Sequence, residues 1–309
     1  MNAPLVSIII PTYDMAHLIT ETLDSVLAQT YAHWECIVVD DGSSDSTETI
    51  IQDYIAKDNR FQYHKRPDTH LSGGNGARNY GYEVSRGEFI QWFDSDDIMI
   101  PESIAIKVET ILNTKVDFVI SKTKYFNRPN YKGYAYDYKA EDVTFLSFST
   151  TYIDWITDDI FLDRNIIKNL RFNETLKAGQ EYNFSCKLLL ATNNLVKIDQ
   201  FLSLRRYHES SIGTARRSNK KYYWQTNYHL HWTTLNEVKR IKAVSPTYIK
   251  YALYKCTKSI LENPDIKTTL SFHKALLNVF HFRVVYFYLG LLSKLCFNKY
   301  HFFYKNFKK

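Results

Sequence analysis

The sequence predicts an α/β fold with a doubly wound, mostly parallel β-sheet, followed by a helical C-terminal region. Short apolar runs rich in β-branched residues alternate with segments of helical periodicity through the first 120 residues. Polar residues cluster where those runs end, and helical patterns dominate from about residue 216 onward. We therefore expect an α/β domain over residues 1–215 and a helical region over residues 216–309.

The first two strands are predicted from apolar runs without polar alternation. Residues 5–10 (LVSIII) and 34–40 (WECIVVD) are typical of parallel strands covered on both faces. The helix between them is indicated by apolar residues at helical spacing, which are Leu18, Ile19, Leu23, Val26 and Leu27. Asp45, with Glu48 three positions later, is typical of a capping box and predicts a helix that continues through Ile55.

The remaining elements follow the same alternation. In chain order we expect a strand at 61–64, a helix after the glycine-rich LSGGNGARN, a strand in EFIQWF (88–93), a helix opened by Pro101, a strand at 116–120, loops or small strands over 122–150, a helix over 180–192, and a strand from Phe201 that runs into a loop.

Three of these strands end in polar residues, and ligands of doubly wound sheets bind beyond the carboxyl ends of the strands. The residues are Thr12 and Tyr13, Asp40 and Asp41, and Asp94, Asp96 and Asp97. Carboxylates so closely spaced repel one another unless a cation lies between them. Mg²⁺ or Mn²⁺, held by one or two carboxylates and by phosphate oxygens, would remove that repulsion. An Asp-x-Asp segment taken alone is more often a solvated turn than a metal site.

Composition and charge limit the other classes of function. The net charge of +6 over 309 residues is too small to indicate nucleic-acid binding, and no nucleic-acid-binding module is recognised. The four cysteines lack metal-ligand spacing, which favours free thiols in a reducing compartment. MNAPLVSIII has no basic region typical of a signal peptide, and we expect no apolar stretch of the about 18–20 residues that a membrane-spanning helix needs.

Four motifs in order, SIIIPTYD, VVDDGSSDST, GNGARNYG and FDSDD, resemble the family 2 inverting glycosyltransferases, which have the Rossmann-like glycosyltransferase A-type fold. The resemblance covers about residues 5–215. It implies metal-dependent transfer of a sugar from a nucleotide-diphosphate donor, with a UDP-sugar expected, to the hydroxyl of a glycan or lipid-linked acceptor. It also implies Mn²⁺ or Mg²⁺ as the cofactor and a bacterial role in surface polysaccharide assembly.

The resemblance implies roles for individual residues. The donor-binding set is Pro11, Thr12, Tyr13, Asp41, Arg78, Asp94 and Arg206, with Tyr13 stacking near the base and Asp41 accepting a hydrogen bond from it. The metal-binding set is Asp94, Asp96 and His208, with Asp97 as a contender. AGQEYNF places Glu181 at the position of the catalytic base, although Asp is usual there. Asp14 replaces the family's usual Asn and has no assigned role.

Structural alternatives remain for most of these residues. The segment from Pro11 to Tyr13 is also typical of a turn that ends a strand, and Asp41 before a glycine is typical of a turn former. Glu181 is equally suited to the first turn of a helix, where the dipole favours an acidic residue. For the whole chain, the alternatives are a non-catalytic nucleotide-sugar-binding protein and a nucleotidyltransferase; PTYDMAH, without glycines after the first strand, disfavours the latter.

The C-terminal segment indicates a membrane surface. NKYHFFYKNFKK (298–309) interleaves lysines with aromatic residues, and residues 273–297 are apolar enough for an amphipathic interfacial helix. We expect a cytoplasmic protein that is peripheral on the inner face of the cell membrane and contacts anionic lipid through this tail. The alternatives are that the tail packs on the catalytic domain or makes an oligomer contact.

Overall fold

Contacts between Cα atoms divide the chain into two units. The structure, a computed structural model, describes residues 3–128, 136–151, 153–208 and 211–308. The N-terminal unit comprises Met1–Thr175 and Gln180–His208, and the C-terminal unit comprises Leu176–Gly179 and Glu209–Lys309.

An eight-stranded sheet forms the centre of the N-terminal unit. Its strands are β1 Val6–Thr12, β2 Trp34–Asp40, β3 Phe61–Lys65, β4 Phe89–Trp92, β5 Ile98–Met99, β6 Phe118–Tyr125, β7 Ile160–Asp163 and β8 Leu195–Arg205, in the order β3-β2-β1-β4-β7-β6-β8-β5. β7 is antiparallel to both of its neighbours, and β5 is antiparallel to β8. The other pairs are parallel. The predicted mostly parallel α/β fold is confirmed.

Helices flank the sheet and make up most of the C-terminal unit. Those of the N-terminal unit are α1 Ile19–Leu27, α2 Thr47–Lys57, α3 Gly74–Val84, α4 Ser103–Thr114, α5 Phe145–Ser149 and α6 Gln180–Ala191. Those of the C-terminal unit are α7 Ile212–Ser218, α8 Lys220–Ile241, α9 Pro246–Glu262, α10 Leu270–Phe280, α11 Val284–Phe297 and α12 His301–Lys308. The helical C-terminal region is therefore present as expected.

The first two strands form the centre of the core. Every residue of β1 and β2 is buried, as expected of strands covered on both faces. Trp34 packs edge-on against Phe61, and Tyr54 does the same from α2. Cys36, Cys186 and Cys256 are buried free thiols, as predicted for Cys36, and Cys296 is exposed.

Several element boundaries differ from the prediction. β6 continues to Tyr125 into the expected loop region, of which residues 129–135 lie outside the described part of the chain, and β7 was not predicted. β8 begins at Leu195 instead of Phe201.

Two helices begin at other residues than the sequence predicts. α4 begins two residues after Pro101. At α2, Asp45 accepts a hydrogen bond from the Thr47 amide at 3.0 Å, while Glu48 pairs with Lys65 and forms no capping box.

His231 of α8 is a buried titratable residue of the C-terminal unit. Burial, assisted by the charges of Lys255 and Arg216, lowers its pKa to about 3. The unfolded chain therefore takes up a proton below pH 6.5 that the folded chain does not accept until near pH 3.

Stability should fall as the pH drops through this window, by up to about 1.4 kcal/mol per pH unit. His231→Gln should make the free energy of unfolding, measured by urea titration between pH 7 and pH 5, less dependent on pH. His229→Gln is the matched control, because His229 is exposed on the same helix. Equal pH slopes for wild type and His231→Gln would contradict this account.

Candidate functional site

The ends of β1, β2 and β4 meet at one edge of the sheet. The parallel register places Thr12 opposite Asp40, and the Asp41 amide donates to the Thr12 carbonyl at 2.9 Å. On the other side of β1, the amide of Phe93 donates to the Ile9 carbonyl at 3.0 Å, directly before Asp94. The predicted convergence of polar side chains at this edge is therefore present.

Asp94, Asp96 and Asp97 form an acidic cluster in which one carboxylate oxygen of each residue lies within 4.8 Å of the other two. Nε2 of His208 lies 2.7 Å from Oδ2 of Asp96, which adds an imidazole to the group. Burial, and then the charge of Asp96, raise the pKa of Asp97 well above its usual value. Carboxylate and imidazole donors suit Mn²⁺, and carboxylates suit Mg²⁺, so the residues present fit the implied ion.

Two arginines hold the backbone and side chains of this turn. Arg78 of α3, itself buried, pairs with Asp94 at 2.6 Å. The Arg206 amide donates to Oδ1 of Asp97 at 2.8 Å, and its Nε donates to the Asp96 carbonyl at 3.1 Å. The Arg206 guanidinium also lies 2.9 Å from the carboxylate of Glu21. The structure therefore brings the predicted Arg78, Arg206 and His208 to the acidic cluster.

A buried polar network behind the cluster was missed in the sequence. Asp158 is fully buried, and its Oδ1 accepts a hydrogen bond from the Asp94 amide at 3.1 Å. Lys107 Nζ, also fully buried, donates to Gln91 at 2.7 Å and to the Asp158 carbonyl at 3.0 Å. Burial lowers the pKa of Lys107 to about 8, although nearby Asp159 and Asp158 oppose that change. This network connects the sheet core to the turn.

The sequence contains a signal for part of this network. Lys107 lies on the same stripe of α4 as the buried residues Ile104, Val108 and Ile111, at helical spacing. A lysine on an apolar stripe is rarely buried without a partner, so its position indicates a buried polar group in the layer beneath.

The loops after β1 and β2 are joined by short side chains. Asp14, with φ of 51°, accepts a hydrogen bond from the Ser44 amide at 2.7 Å, and its own amide donates to Ser43 Oγ at 2.9 Å. Asp and Asn tolerate this left-handed conformation, which gives position 14 a structural role in shaping the loops. Thr12 is buried beside them, whereas the Tyr13 side chain is 55% exposed and accessible to a ligand.

Asp41 pairs with Arg66, a residue that sequence reasoning missed. Both side chains are only 10–11% exposed, and the second oxygen of Asp41 lies 3.2 Å from Ser72 Oγ. The loop over residues 66–73 is further held by Glu174, which accepts hydrogen bonds from the Leu71 amide at 2.6 Å and from His70 at 2.7 Å. Asp41 is thus located at the expected edge and already has a cationic partner.

Glu181 lies in the first turn of α6, directly after Gly179 and Gln180. Gly179 has φ of +72°, a conformation that glycine adopts without strain and that directs the chain into the helix. Ser185, on the inner side of α6, accepts a hydrogen bond from Trp155 at 3.0 Å. Glu181 itself is half-buried and makes no hydrogen bond or ion pair with the residues that the structure describes.

Comparisons with known proteins agree with this geometry. Residues 7–168 match the model of the family described as glycosyl transferase family 2. An uncharacterized glycosyltransferase of Rickettsia typhi is 29% identical over 261 residues, which are 80% of this chain and 78% of the relative. The UDP-Glc:alpha-D-GlcNAc-diphosphoundecaprenol beta-1,3-glucosyltransferase WfgD of Escherichia coli is 35% identical over 133 residues. That match covers 43% of this chain and 51% of the length of the relative.

Solved structures share the fold at low sequence identity. Staphylococcus aureus TarS 1-349, crystallised with UDP-GlcNAc, has a TM-score of 0.66 and 19% identity, and the match covers 98% of this chain and 89% of TarS. The mannosyltransferase PcManGT of Pyrobaculum calidifontis, in complex with GDP-Man and Mn²⁺, has a TM-score of 0.59 and 16% identity, over 99% and 85% of the two chains. The predicted A-type fold is confirmed.

Proposed function

Because the chain belongs to glycosyl transferase family 2, we propose that it is a metal-dependent, inverting glycosyltransferase that uses a UDP-sugar. The observation that supports this most strongly is the acidic cluster with His208 at the sheet edge. Asp94, Asp96 and His208 would hold Mn²⁺ or Mg²⁺, with Asp97 as a further contender. The ion, when bound, stabilises negative charge on the diphosphate leaving group.

The remaining donor contacts come from the neighbouring loops. Pro11, Thr12 and Tyr13 would line the nucleotide pocket, where the exposed Tyr13 ring can stack on the base. Asp41 would accept a hydrogen bond from the base. Arg78 and Arg206, already held against the acidic cluster, would place positive charge near the diphosphate.

Glu181 would act as the general base of the transfer. Its carboxylate has no partner among the described residues, so it is available to an acceptor hydroxyl. Removing the hydroxyl proton makes the oxygen a competent nucleophile, and such help is worth about 10²–10⁴-fold in rate. Attack on the anomeric carbon from the face opposite the departing nucleoside diphosphate inverts the configuration.

The name of one relative favours a lipid-linked glycan as the acceptor, and the name of another favours polysaccharide synthesis. The Escherichia coli relative is named for transfer to a GlcNAc-diphosphoundecaprenol, and a Bacillus subtilis relative, 36% identical over 115 residues, for putative teichuronic acid biosynthesis. We extend this to bacterial surface polysaccharide assembly on the cytoplasmic side of the cell membrane.

A thermal-shift panel with UDP-glucose, UDP-GlcNAc and GDP-mannose, each with and without Mn²⁺, tests the donor proposal. A ligand at 100 times its Kd stabilises the folded chain by about 2.7 kcal/mol. We expect one UDP-sugar to raise Tm only when Mn²⁺ is present. A rise with GDP-mannose alone among the sugars would contradict the UDP assignment, and rises that are unaffected by Mn²⁺ would contradict the metal.

A further inference from the structure

The positive charge of the chain is concentrated at its C-terminal end. Residues 270–309 contain seven Lys and Arg and no Asp or Glu, so the other 269 residues, with 32 basic and 33 acidic side chains, have a net charge of −1. Many large apolar side chains of α10, α11 and the turn between them are exposed. They are Leu270, Leu277, Phe282, Val285, Tyr288, Leu289, Leu292, Leu295 and Phe297. Cationic side chains and exposed apolar side chains thus occur in the same stretch of the chain.

Helix α11 is apolar on two opposite faces. Val284, Phe287 and Gly290 are buried within the C-terminal unit, while Val285, Leu289, Leu292 and Leu295 recur at helical spacing and are exposed. A helix that is apolar all round is normally covered on every side. Among the described residues, none covers the exposed face of α11, although the composition of the helix favours burial on every side.

The length of the helices determines whether this face can span a bilayer or can only lie in its interface. By length and composition alone, Leu270–Phe297 is the one helical stretch among the described residues that could span a bilayer, which contradicts the expectation that no apolar stretch is long enough. The stretch is not straight, because His281 has φ of 48° and His273 Nδ1 lies 2.7 Å from the hydroxyl of Tyr288, fifteen residues later. α10 and α11 therefore fold back on each other. Their 11 and 14 residues are shorter than the about 20 that spanning requires.

We propose that the exposed apolar residues of α10, α11 and the turn between them, here called the hairpin face, insert into the interface of an anionic bilayer. Phe282 at the turn and Leu292 and Leu295 on α11 enter the acyl boundary. The exposed Lys274 and Lys299, together with Lys305 of α12, remain among the anionic headgroups. An acidic protein partner would satisfy the lysines but not the large apolar area. Residues 270–309 contain no Asp or Glu, and the surface of α10 and α11 is apolar. Together these features favour an anionic lipid surface as the partner.

The hairpin face replaces the free C-terminal tail expected from the sequence. Tyr300 and Phe307 of that tail are buried, and Phe307 packs against Tyr254, Phe280 and Phe287. Deleting the tail would remove part of the core of the C-terminal unit, so truncation is a poor test. Substitutions of exposed residues are required.

Flotation of the full chain with vesicles, without donor or acceptor, tests the proposal independently of any transferase activity. We expect binding to phosphatidylglycerol-containing vesicles and little binding to phosphatidylcholine alone. The triple variant Phe282→Ser, Leu292→Ser, Leu295→Ser should bind about a hundredfold more weakly. The control, Leu112→Ser with Ile241→Ser, removes apolar residues that are about half exposed outside the hairpin face and should bind like wild type.

A separate variant tests the contribution of the lysine charges to vesicle binding. Lys274→Gln, Lys299→Gln and Lys305→Gln together should weaken binding by about a hundredfold, since each cation near an anionic surface contributes about fivefold. Lys57→Gln, Lys177→Gln and Lys239→Gln are exposed controls of equal charge. Equal losses in both triple variants would show that general charge, and not the hairpin face, causes binding.

Cys296 provides a local readout, because it is exposed on α11 whereas the other three cysteines are buried. An environment-sensitive fluorophore on Cys296 should shift to shorter wavelength with anionic vesicles. Retained binding by the apolar variant, or no spectral shift, would overturn the proposal. A wild-type dimer that the apolar variant converts to a monomer in sedimentation equilibrium, with vesicle binding unchanged, would identify the face as a self-association surface.

Discussion

Replacing Glu181 with Gln is expected to lower kcat by about 10²–10⁴-fold while leaving the affinity for the nucleotide-sugar nearly unchanged. The amide has the size of the carboxylate but cannot take the proton of an acceptor hydroxyl. The effect should fall on kcat because the acceptor is deprotonated only as the reaction proceeds. Steady-state kinetics and calorimetric titration of the donor measure the two quantities separately.

The same variant separates catalysis from a structural role. If Glu181 only favours the first turn of α6 through the helix dipole, its loss should cost about 0.3–1 kcal/mol of stability and leave kcat intact. Glu181→Asp, the residue usual in the resembled family, should retain part of the rate, and Gln180→Asn is the neighbouring control. An unchanged kcat in Glu181→Gln would remove this residue from the mechanism and favour a non-catalytic sugar-nucleotide-binding protein.

Asp96→Asn is expected to reduce kcat/KM by about 10²-fold or more and to raise the Mn²⁺ concentration needed for half-maximal rate. The amide removes the negative charge that lies beside His208 and next to the two other carboxylates. Asp199→Asn is the control, since Asp199 is an exposed, ion-paired aspartate of the same unit.

The comparison with Asp97→Asn identifies the ligand within the cluster. Oδ1 of Asp97 already accepts a hydrogen bond from the Arg206 amide, whereas Asp96 is more exposed. We therefore expect the larger change in metal dependence for Asp96. A larger change for Asp97, measured by the same metal titration, would reverse the assignment.

The sequence predicts best what is local in the chain. β1 and β2 are continuous apolar runs, and the polar residues that follow them lie at the edge where parallel strands end. It predicts less well what depends on distant partners. Asp158 supports the Asp94 amide from 64 residues away, and β7, which follows it, is a four-residue antiparallel strand inserted between β4 and β6. No local pattern reports such a pairing.

In the C-terminal region, too, the exposed residues could not be predicted from local sequence. Lysines and aromatic residues alternate in the last helix, and this composition suits both a membrane surface and a packed core. The structure buries Phe307 among Tyr254, Phe280 and Phe287 and leaves the more apolar α11 exposed. Composition predicts a region that could contact a membrane, whereas the residues that are exposed within that region depend on tertiary packing.

The carboxylate of Asp41, which pairs with Arg66, affects which nucleobases the proposed site can bind. A carboxylate is a pure hydrogen-bond acceptor, so at the base it complements a ring N–H such as those of uracil and guanine. Cytosine and adenine present a ring lone pair at the corresponding position, which a carboxylate repels. With Asp41 in the proposed position, CDP- and ADP-sugars would lose the ring N–H hydrogen bond and are expected to bind more weakly than UDP- and GDP-sugars.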